Sequence, residues 1–274
     1  MKVIFYWVLA VLITFAAIIY QRKTGPTYDK KVKITIDNQE YKFKLIRSHG
    51  GTTDCTIELT IPDQGVEGVL AYKKYPTRDE WTEVAFTRQN DVITASLPNL
   101  PPAGKYEYKV TLKKGEQNFD LTEGKSVVIR FKGEVPGFIL IPHIILMFFA
   151  MFLGNVAGIM ALFKHSKYRF YGILTVIFLF IGGMILGPLV QLYAFGELWA
   201  GIPFAWDLTD NKTLFAFLFW LLAFIMNRKK ERPVYTVVAS VVMLIVYSIP
   251  HSMYGSQLDP ETGKVIQGWI QLFL

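Results

Sequence analysis

Two histidines and three carboxylates are the side chains of this chain whose types and positions could do chemistry. His143 and His251 each follow a proline directly at one end of a long apolar run, and Glu197, Asp207 and Asp210 lie close together between two other runs. Imidazoles on different helices can ligate haem iron, and imidazole with carboxylate binds zinc and other divalent ions. We therefore predict a cofactor site at His143 and His251, with Glu197, Asp207 and Asp210 as candidate metal ligands.

A structural explanation of the same residues stays open. A histidine near a helix end can simply donate a hydrogen bond to a carbonyl or a lipid headgroup. Asp207, with Asp210 three positions later, fits an N-cap followed by an acidic residue in the first helical turn. No fixed ligand spacing is present, so the residue types alone do not choose between haem, metal and helix capping.

The elements that would position these residues are five uncharged apolar runs. The composition is 52% hydrophobic and only 19% charged, below the roughly 25% charged residues of soluble domains. A helix needs roughly 20 mostly apolar residues to cross a bilayer. We therefore predict an α+β membrane protein with an N-terminal anchor helix and a four-helix transmembrane bundle within 135–258. The predicted spans are 1–23, 137–163, 170–195, 207–227 and 233–250.

The loops of this bundle differ in charge, which predicts its orientation. Two loops hold seven basic residues and one acidic residue, whereas the stretch 196–212 has an acidic surplus. Because basic loops stay in the cytoplasm, we expect a bacterial inner-membrane protein with a cytoplasmic N-terminus. The segment 24–134 and an interfacial tail at 259–274 would then be extracytoplasmic. The basic residues are Lys164, Lys167, Arg169, Arg228, Lys229, Lys230 and Arg232.

The formal net charge of +7 largely reflects these two basic loops. It gives little support to nucleic-acid binding, which needs a concentrated basic footprint with suitable motifs. Membrane lipids are the partners that the apolar runs imply.

The first apolar run has two interpretations. Met1-Lys2 before an apolar core and the small pair Ala16-Ala17 resemble a cleavable signal peptide. The run is longer than a signal core of 7–15 residues, and an A-x-A site is missing. We therefore expect a retained signal-anchor helix, although Arg22-Lys23 on its outer side departs from the charge rule.

Strand patterning distinguishes the segment 24–134 from the rest of the chain. Residues 105–112 alternate strictly, with Tyr106, Tyr108, Val110 and Leu112 on one face and polar side chains on the other. Similar short segments recur between turn signals such as Asp37-Asn38, as expected of an antiparallel β-sandwich. About 110 residues are enough for one hydrophobic core.

This segment resembles the immunoglobulin and fibronectin type III sandwiches over residues 28–134. The resemblance rests on the number of strands and on one segment, Leu97-Pro-Asn-Leu-Pro-Pro-Ala-Gly-Lys-Tyr-Glu-Tyr. This segment is similar to the proline-rich stretch that precedes a late strand in those sandwiches. The Cys…Trp…Cys hallmark of antibody domains is absent, since Cys55 is the only cysteine. The resemblance implies a binding or spacing role, with an envelope protein as the expected partner.

Small residues recur at helical spacing in two predicted spans. Ala150, Gly154 and Gly158 repeat every four residues in one span, and Gly183 and Gly187 do so in the next. Such ridges let membrane helices approach closely. We expect these residues to pack helices within one chain.

The stretch Pro142-His-Ile-Ile-Leu-Met-Phe-Phe-Ala-Met resembles the first haem helix of cytochrome b561-like membrane proteins. That resemblance implies a b-type haem at His143. The family's further helical histidines are absent here, since His49 and His165 lie outside the apolar runs. A second haem is therefore not expected.

Three functions remain as hypotheses. The first is a non-enzymatic binding or assembly module, since no Walker loop, GxGxxG or GxSxG motif is present. The second is a haem- or metal-binding redox protein with a site at His143 and His251. The third is a transporter subunit.

Overall fold

The computed structural model describes residues 2–250 and 255–267, which divide into two units. The helical unit contains residues 2–26 and 135–250, and the β unit contains Thr27–Glu134 together with Ser256–Ile266. The chain is α+β, as predicted, with apolar helices and mainly antiparallel sheets.

The described residues of the helical unit form six α-helices and one π-helical segment. Four helices are long and apolar enough to cross a membrane by length and composition: Val3–Thr24, Gly137–Leu162, Tyr168–Phe195 and Leu208–Asn227. The elements are α1 (Lys2–Thr24), α2 (Gly137–Leu162), α3 (Tyr168–Phe178), the π segment (Leu179–Leu186), α4 (Gly187–Phe195), α5 (Leu208–Asn227) and α6 (Pro233–Ser248).

The last apolar helix is shorter than the predicted span 233–250. Helix α6 has 16 residues, which is about 24 Å at 1.5 Å per residue, against a hydrocarbon core of roughly 30 Å. Ile249 ends it with an extended conformation, ψ 123°, because the residue before a proline is disfavoured in the α region and Pro250 follows.

Glycines set the close contacts between the helices. A Cβ atom added at Gly154 would collide with Met243, and one at Gly158 would collide with Ser240, so α2 lies directly against α6. One at Gly183 would lie 2.7 Å from Thr213 Cγ2 on α5. Gly187 differs, because a Cβ atom added there would have its nearest neighbours 3.8 Å away. Ala150, the remaining small residue, is fully buried.

Thirteen strands form the β structure of the described residues. They are β1 (Lys30–Ile36), β2 (Gln39–Leu45), β3 (Ser48–Gly50), β4 (Cys55–Thr60), β5 (Val66–Lys74), β6 (Thr82–Ala85), β7 (Thr87–Gln89), β8 (Val92–Leu97), β9 (Lys105–Lys114), β10 (Gln117–Asp120), β11 (Val127–Lys132), β12 (Ser256–Leu258) and β13 (Val265–Gln267).

The larger sheet has the order β3-β11-β9-β5-β6, with β10 also paired to β9, and a second sheet has the order β4-β8-β7. Strands β3 and β11 are parallel, whereas the other register-defined pairs are antiparallel. Side chains from both sheets and from the β1-β2 hairpin form one core, in which Leu70, Tyr108 and Leu97 are completely buried. The alternation of β9 follows from this core, since Tyr106, Tyr108, Val110 and Leu112 all face it.

The described part of the C-terminal tail belongs largely to the β unit. The Leu258 amide donates to the Ala103 carbonyl at 2.9 Å, and Arg130 Nη2 donates to the Ser256 carbonyl at 2.6 Å. Lys105 Nζ donates to Gln257 Oε1 at 2.5 Å. The segment 259–274, expected as an interfacial tail, therefore contributes residues up to Ile266 to the β unit.

Candidate functional site

A cavity of about 490 Å³ lies within the helical unit. Side chains of α1, α2, α4, α5 and α6 and glycines of the third long helix surround it, and most of its lining is apolar. The polar side chains that line it include Gln21, Arg22, His143, Gln191, Asp210 and Tyr247.

His143 is held in this cavity by the irregular part of the third long helix. Its Nδ1 lies 2.8 Å from the Gly182 carbonyl oxygen, which also accepts the Gly187 amide within the π-helical pattern. A carbonyl can only accept, so Nδ1 carries the proton, and in the neutral form of the ring Nε2 is then an acceptor. Within the described residues, Nε2 has no hydrogen-bond partner.

The acidic residues near the start of α5 satisfy backbone amides. Asp207 is the N-cap, as predicted, and its carboxylate accepts from the amides of Thr209 at 2.7 Å and Asp210 at 3.3 Å. Asp210 Oδ2 accepts from the Ala200 amide at 2.7 Å. Asp210 also lines the cavity, so its carboxyl group both ties the preceding loop to the helix and borders the cavity.

Asn211 and Lys212 complete this helix start. Asn211 Oδ1 accepts from the Ile202 amide at 2.8 Å. The buried Lys212 ammonium donates to the carbonyls of Ile249 at 2.8 Å and Pro250 at 3.4 Å. These carbonyls follow the end of α6, where unsatisfied acceptors and the helix dipole favour a cation.

The cavity brings only some of the predicted site residues together. His143 and Asp210 line it, whereas Asp207 is committed to capping and Glu197 is not among the lining residues. Burial, and secondarily the charge of Asp207, raise the pKa of the Glu197 carboxyl. His251 lies outside the described residues.

Among the residues that the structure describes, no group of three His, Cys, Asp or Glu side chains could hold a metal ion. Of the predicted carboxylates, Asp207 and Asp210 accept backbone amides.

Sequence reasoning missed the contribution of α1 and α6 to this site. Gln21 and Arg22 line the cavity from α1, and Tyr247 lines it from α6, where its hydroxyl lies 4.0 Å from Met147 Sδ. Arg22 lies on the predicted outer side and so departs from the positive-inside rule. This departure was a sequence signal for its place in the cavity lining. Tyr247 gave none, because an isolated tyrosine is ordinary in an apolar helix.

Comparison with protein-family models, with curated proteins and with solved structures finds no match to this chain.

Proposed function

We propose that this chain is a multi-pass membrane protein with a binding function, and that its helical unit holds an amphipathic small molecule. The cavity carries this proposal. Its volume of about 490 Å³ falls within the roughly 300–1,000 Å³ of pockets that bind small molecules. It combines apolar walls with a few polar groups, which is the lining that fixes the orientation of such a ligand.

The polar groups indicate the chemistry of the ligand's head. Nε2 of His143 accepts hydrogen bonds, and the Asp210 carboxylate is negatively charged when ionised. A head that carries hydroxyl donors fits both groups. The apolar body of the ligand would lie against side chains such as Met147 and Val190.

Lipid is the proposed source of the ligand. Ile144 and Phe148 line the cavity, yet they remain 40% and 43% exposed on the surface of the helical unit. Because the cavity shares its wall with this apolar surface, we expect the ligand to enter from the bilayer.

In the same proposal the helices cross a bacterial inner membrane with the two basic loops in the cytoplasm. The β unit is an extracytoplasmic immunoglobulin-like sandwich that contacts an envelope protein. The positive-inside rule supports the orientation. The shared core of the two sheets supports the sandwich. Trp81, whose ring lies near the ammonium groups of Lys73 and Lys109, is a candidate contact for the partner.

Filling the cavity tests the binding proposal directly. Monoolein, which joins a dihydroxyl head to one acyl chain, serves as the probe, and native mass spectrometry of the full chain measures its occupancy. Gly187→Leu should place a side chain in the cavity, since an added Cβ atom has no neighbour closer than 3.8 Å. We expect about tenfold weaker binding, equivalent to roughly 1.4 kcal/mol.

Gly187→Ala is the matched control, because it changes the same position by only one methyl group. It should retain most of the binding. Equal monoolein occupancy in the wild type and in the correctly folded Gly187→Leu variant would refute the cavity as the binding site.

A second substitution distinguishes the roles of the two ring nitrogens of His143. His143→Asn keeps a donor near the position of Nδ1, so the bond to the Gly182 carbonyl can persist, but it removes the Nε2 acceptor. We expect an unchanged melting temperature and monoolein binding weakened by about tenfold, the value of one lost hydrogen bond. Unchanged binding would exclude Nε2 as a ligand contact.

Haem binding is a second candidate, and the hydrogen bond of His143 specifically favours it. Histidines that ligate metals commonly donate their other ring nitrogen to a carbonyl, as Nδ1 of His143 does with Gly182. Protein purified from haem-replete cells should then show a Soret band that His143→Ala abolishes. A colourless preparation would refute this candidate and leave the amphipathic-ligand proposal intact.

A further inference from the structure

The helical unit has a concentrated positive charge in its two basic loops. We call this set the cationic face: Lys164, Lys167, Arg169, Arg228, Lys229, Lys230 and Arg232. All except the half-buried Arg169 are exposed, and among the described residues none of the seven forms an ion pair. Glu231 is the single acidic residue in the two loops.

Hydrogen bonds hold the two loops next to each other. Asn227 Oδ1 accepts from the Tyr168 hydroxyl at 2.7 Å and from the Arg232 amide at 2.8 Å. Arg169 Nη2 donates to the Arg228 carbonyl at 2.9 Å. Tyr168 and Asn227 are both buried, so the cations are gathered by a fixed scaffold and not by mobile side chains alone.

Lys164 stands where the backbone favours glycine. Its φ is +54°, and the His165 amide donates to the Met160 carbonyl at 2.8 Å, the bond of a Schellman helix end. The left-handed conformation costs a lysine free energy that it would not cost glycine. The backbone therefore does not explain the presence of a cation at this position.

Apolar side chains border the cationic face. Leu162, Phe163 and Phe170 are 64%, 53% and 57% exposed, and Val234 follows Arg232 and Pro233 at the start of α6 with 68% exposure. A phospholipid has the complementary arrangement, with an anionic phosphate beside acyl chains. A soluble acidic protein or a nucleic acid would complement only the cations and not the apolar side chains beside them.

We propose that the cationic face binds the headgroups of anionic phospholipids in the membrane that the helices cross. Several lysines and arginines directly beside a membrane helix are typical of such recognition. The proposal depends on the helices spanning a membrane but not on the ligand cavity, which lies among other residues.

Phosphatidylglycerol and phosphatidylcholine are the probes, and native mass spectrometry of the full chain in detergent measures the binding of each. The wild type should prefer phosphatidylglycerol, and added salt should weaken that preference. In the triple variant Arg228→Gln, Lys229→Gln, Lys230→Gln we expect phosphatidylglycerol binding to fall by about tenfold or more. The control removes three exposed lysines of the β unit, through Lys31→Gln, Lys44→Gln and Lys132→Gln, and should retain the preference.

Lys164→Gly keeps the test decisive if the triple variant folds poorly. Glycine relieves the left-handed backbone, so the melting temperature should rise while phosphatidylglycerol binding falls by about threefold. If Lys164 had a structural role instead, the Lys164→Gly variant would show both weaker phosphatidylglycerol binding and a lower melting temperature. Equal binding of the two lipids by the wild type, or full binding by both cationic-face variants, would overturn the proposal, as would stronger binding of poly-glutamate than of phosphatidylglycerol.

Discussion

The β unit and the helical unit use their polar groups in different ways. In the β unit, Arg88 donates to the carbonyls of Ile61 at 2.7 Å and Val66 at 2.6 Å, and Tyr108 donates to the Ile46 carbonyl at 2.8 Å. Beneath them lies a core with many completely buried side chains. In the helical unit, a cavity is lined by a histidine whose Nε2 has no described partner. This cavity is the feature of the helical unit on which the proposed binding function rests.

The irregular backbone also belongs to the helical unit. The π segment occurs within the third long helix, and its Gly182 carbonyl orients His143. Insertions of this kind are frequently found at functional sites. The strands of the β unit instead follow a regular alternation, which β9 illustrates over ten residues.

The largest effect is expected where the helical unit is tightly packed. Gly158→Val would force α2 away from α6, because even a Cβ atom there collides with Ser240. We expect a loss of about 3 kcal/mol or more, measured by thermal unfolding in detergent, since overpacking a close contact is costly.

The control for that experiment is Gly172→Ala. An added Cβ atom there meets only Trp220, at an ordinary 3.5 Å. It should leave stability unchanged or raise it by up to about 1 kcal/mol through helix propensity. If Gly158→Val were as stable as this control, the α2-α6 contact would not be close packed.

A matched pair of truncations compares the two units directly. Val110 is completely buried in the β core, whereas Val190 borders the cavity. Val110→Ala should cost about 2 kcal/mol through lost burial and a new void. Val190→Ala should cost less than about 1 kcal/mol, because one side of its site is already empty. Denaturant unfolding with probes in each unit would measure both, and equal losses would remove the distinction between a closed core and an open cavity.

Substitutions of the N-cap residue Asp207 test whether its carboxylate has a structural role. Asp207→Ala removes the acceptor of the Thr209 and Asp210 amides and should cost about 1–2 kcal/mol. Asp207→Asn keeps an acceptor oxygen and should recover most of the loss. Thermal unfolding with and without added Zn²⁺ would measure this, and a Zn²⁺-dependent stability lost in both variants would favour a metal ligand instead.

The remaining prediction concerns the pH dependence of the β unit. Burial, and secondarily the charge of Arg130, lower the pKa of Lys105 to about 7. Between about pH 7 and the ordinary lysine value of 10.5, the unfolded chain binds more protons, so stability should rise with pH in this window. Lys105→Met should flatten that rise, as measured by pulse proteolysis of the β unit in the full chain. An unchanged slope would show that Lys105 stays protonated, as a solvated lysine would.

The sequence by itself determined the features that depend on neighbouring residues. Apolar length indicated the membrane-compatible helices, because a helix needs a certain number of residues to cross a bilayer. Period-two alternation indicated β9, and the Asp207-Asp210 spacing indicated the cap of α5. Each of these follows from local geometry, so a short window of sequence is sufficient.

Only the tertiary structure decided which polar groups meet. His143 contacts Gly182, 39 positions away, Lys212 contacts Ile249, 37 positions away, and Gln257 reaches Lys105 from the far end of the chain. A histidine or carboxylate can bind a ligand only if a distant backbone group does not already satisfy it. A periodic pattern in the local sequence does not predict such distant contacts. The sequence therefore indicated where to look for function, and the packing of the helices decided that His143 borders a cavity.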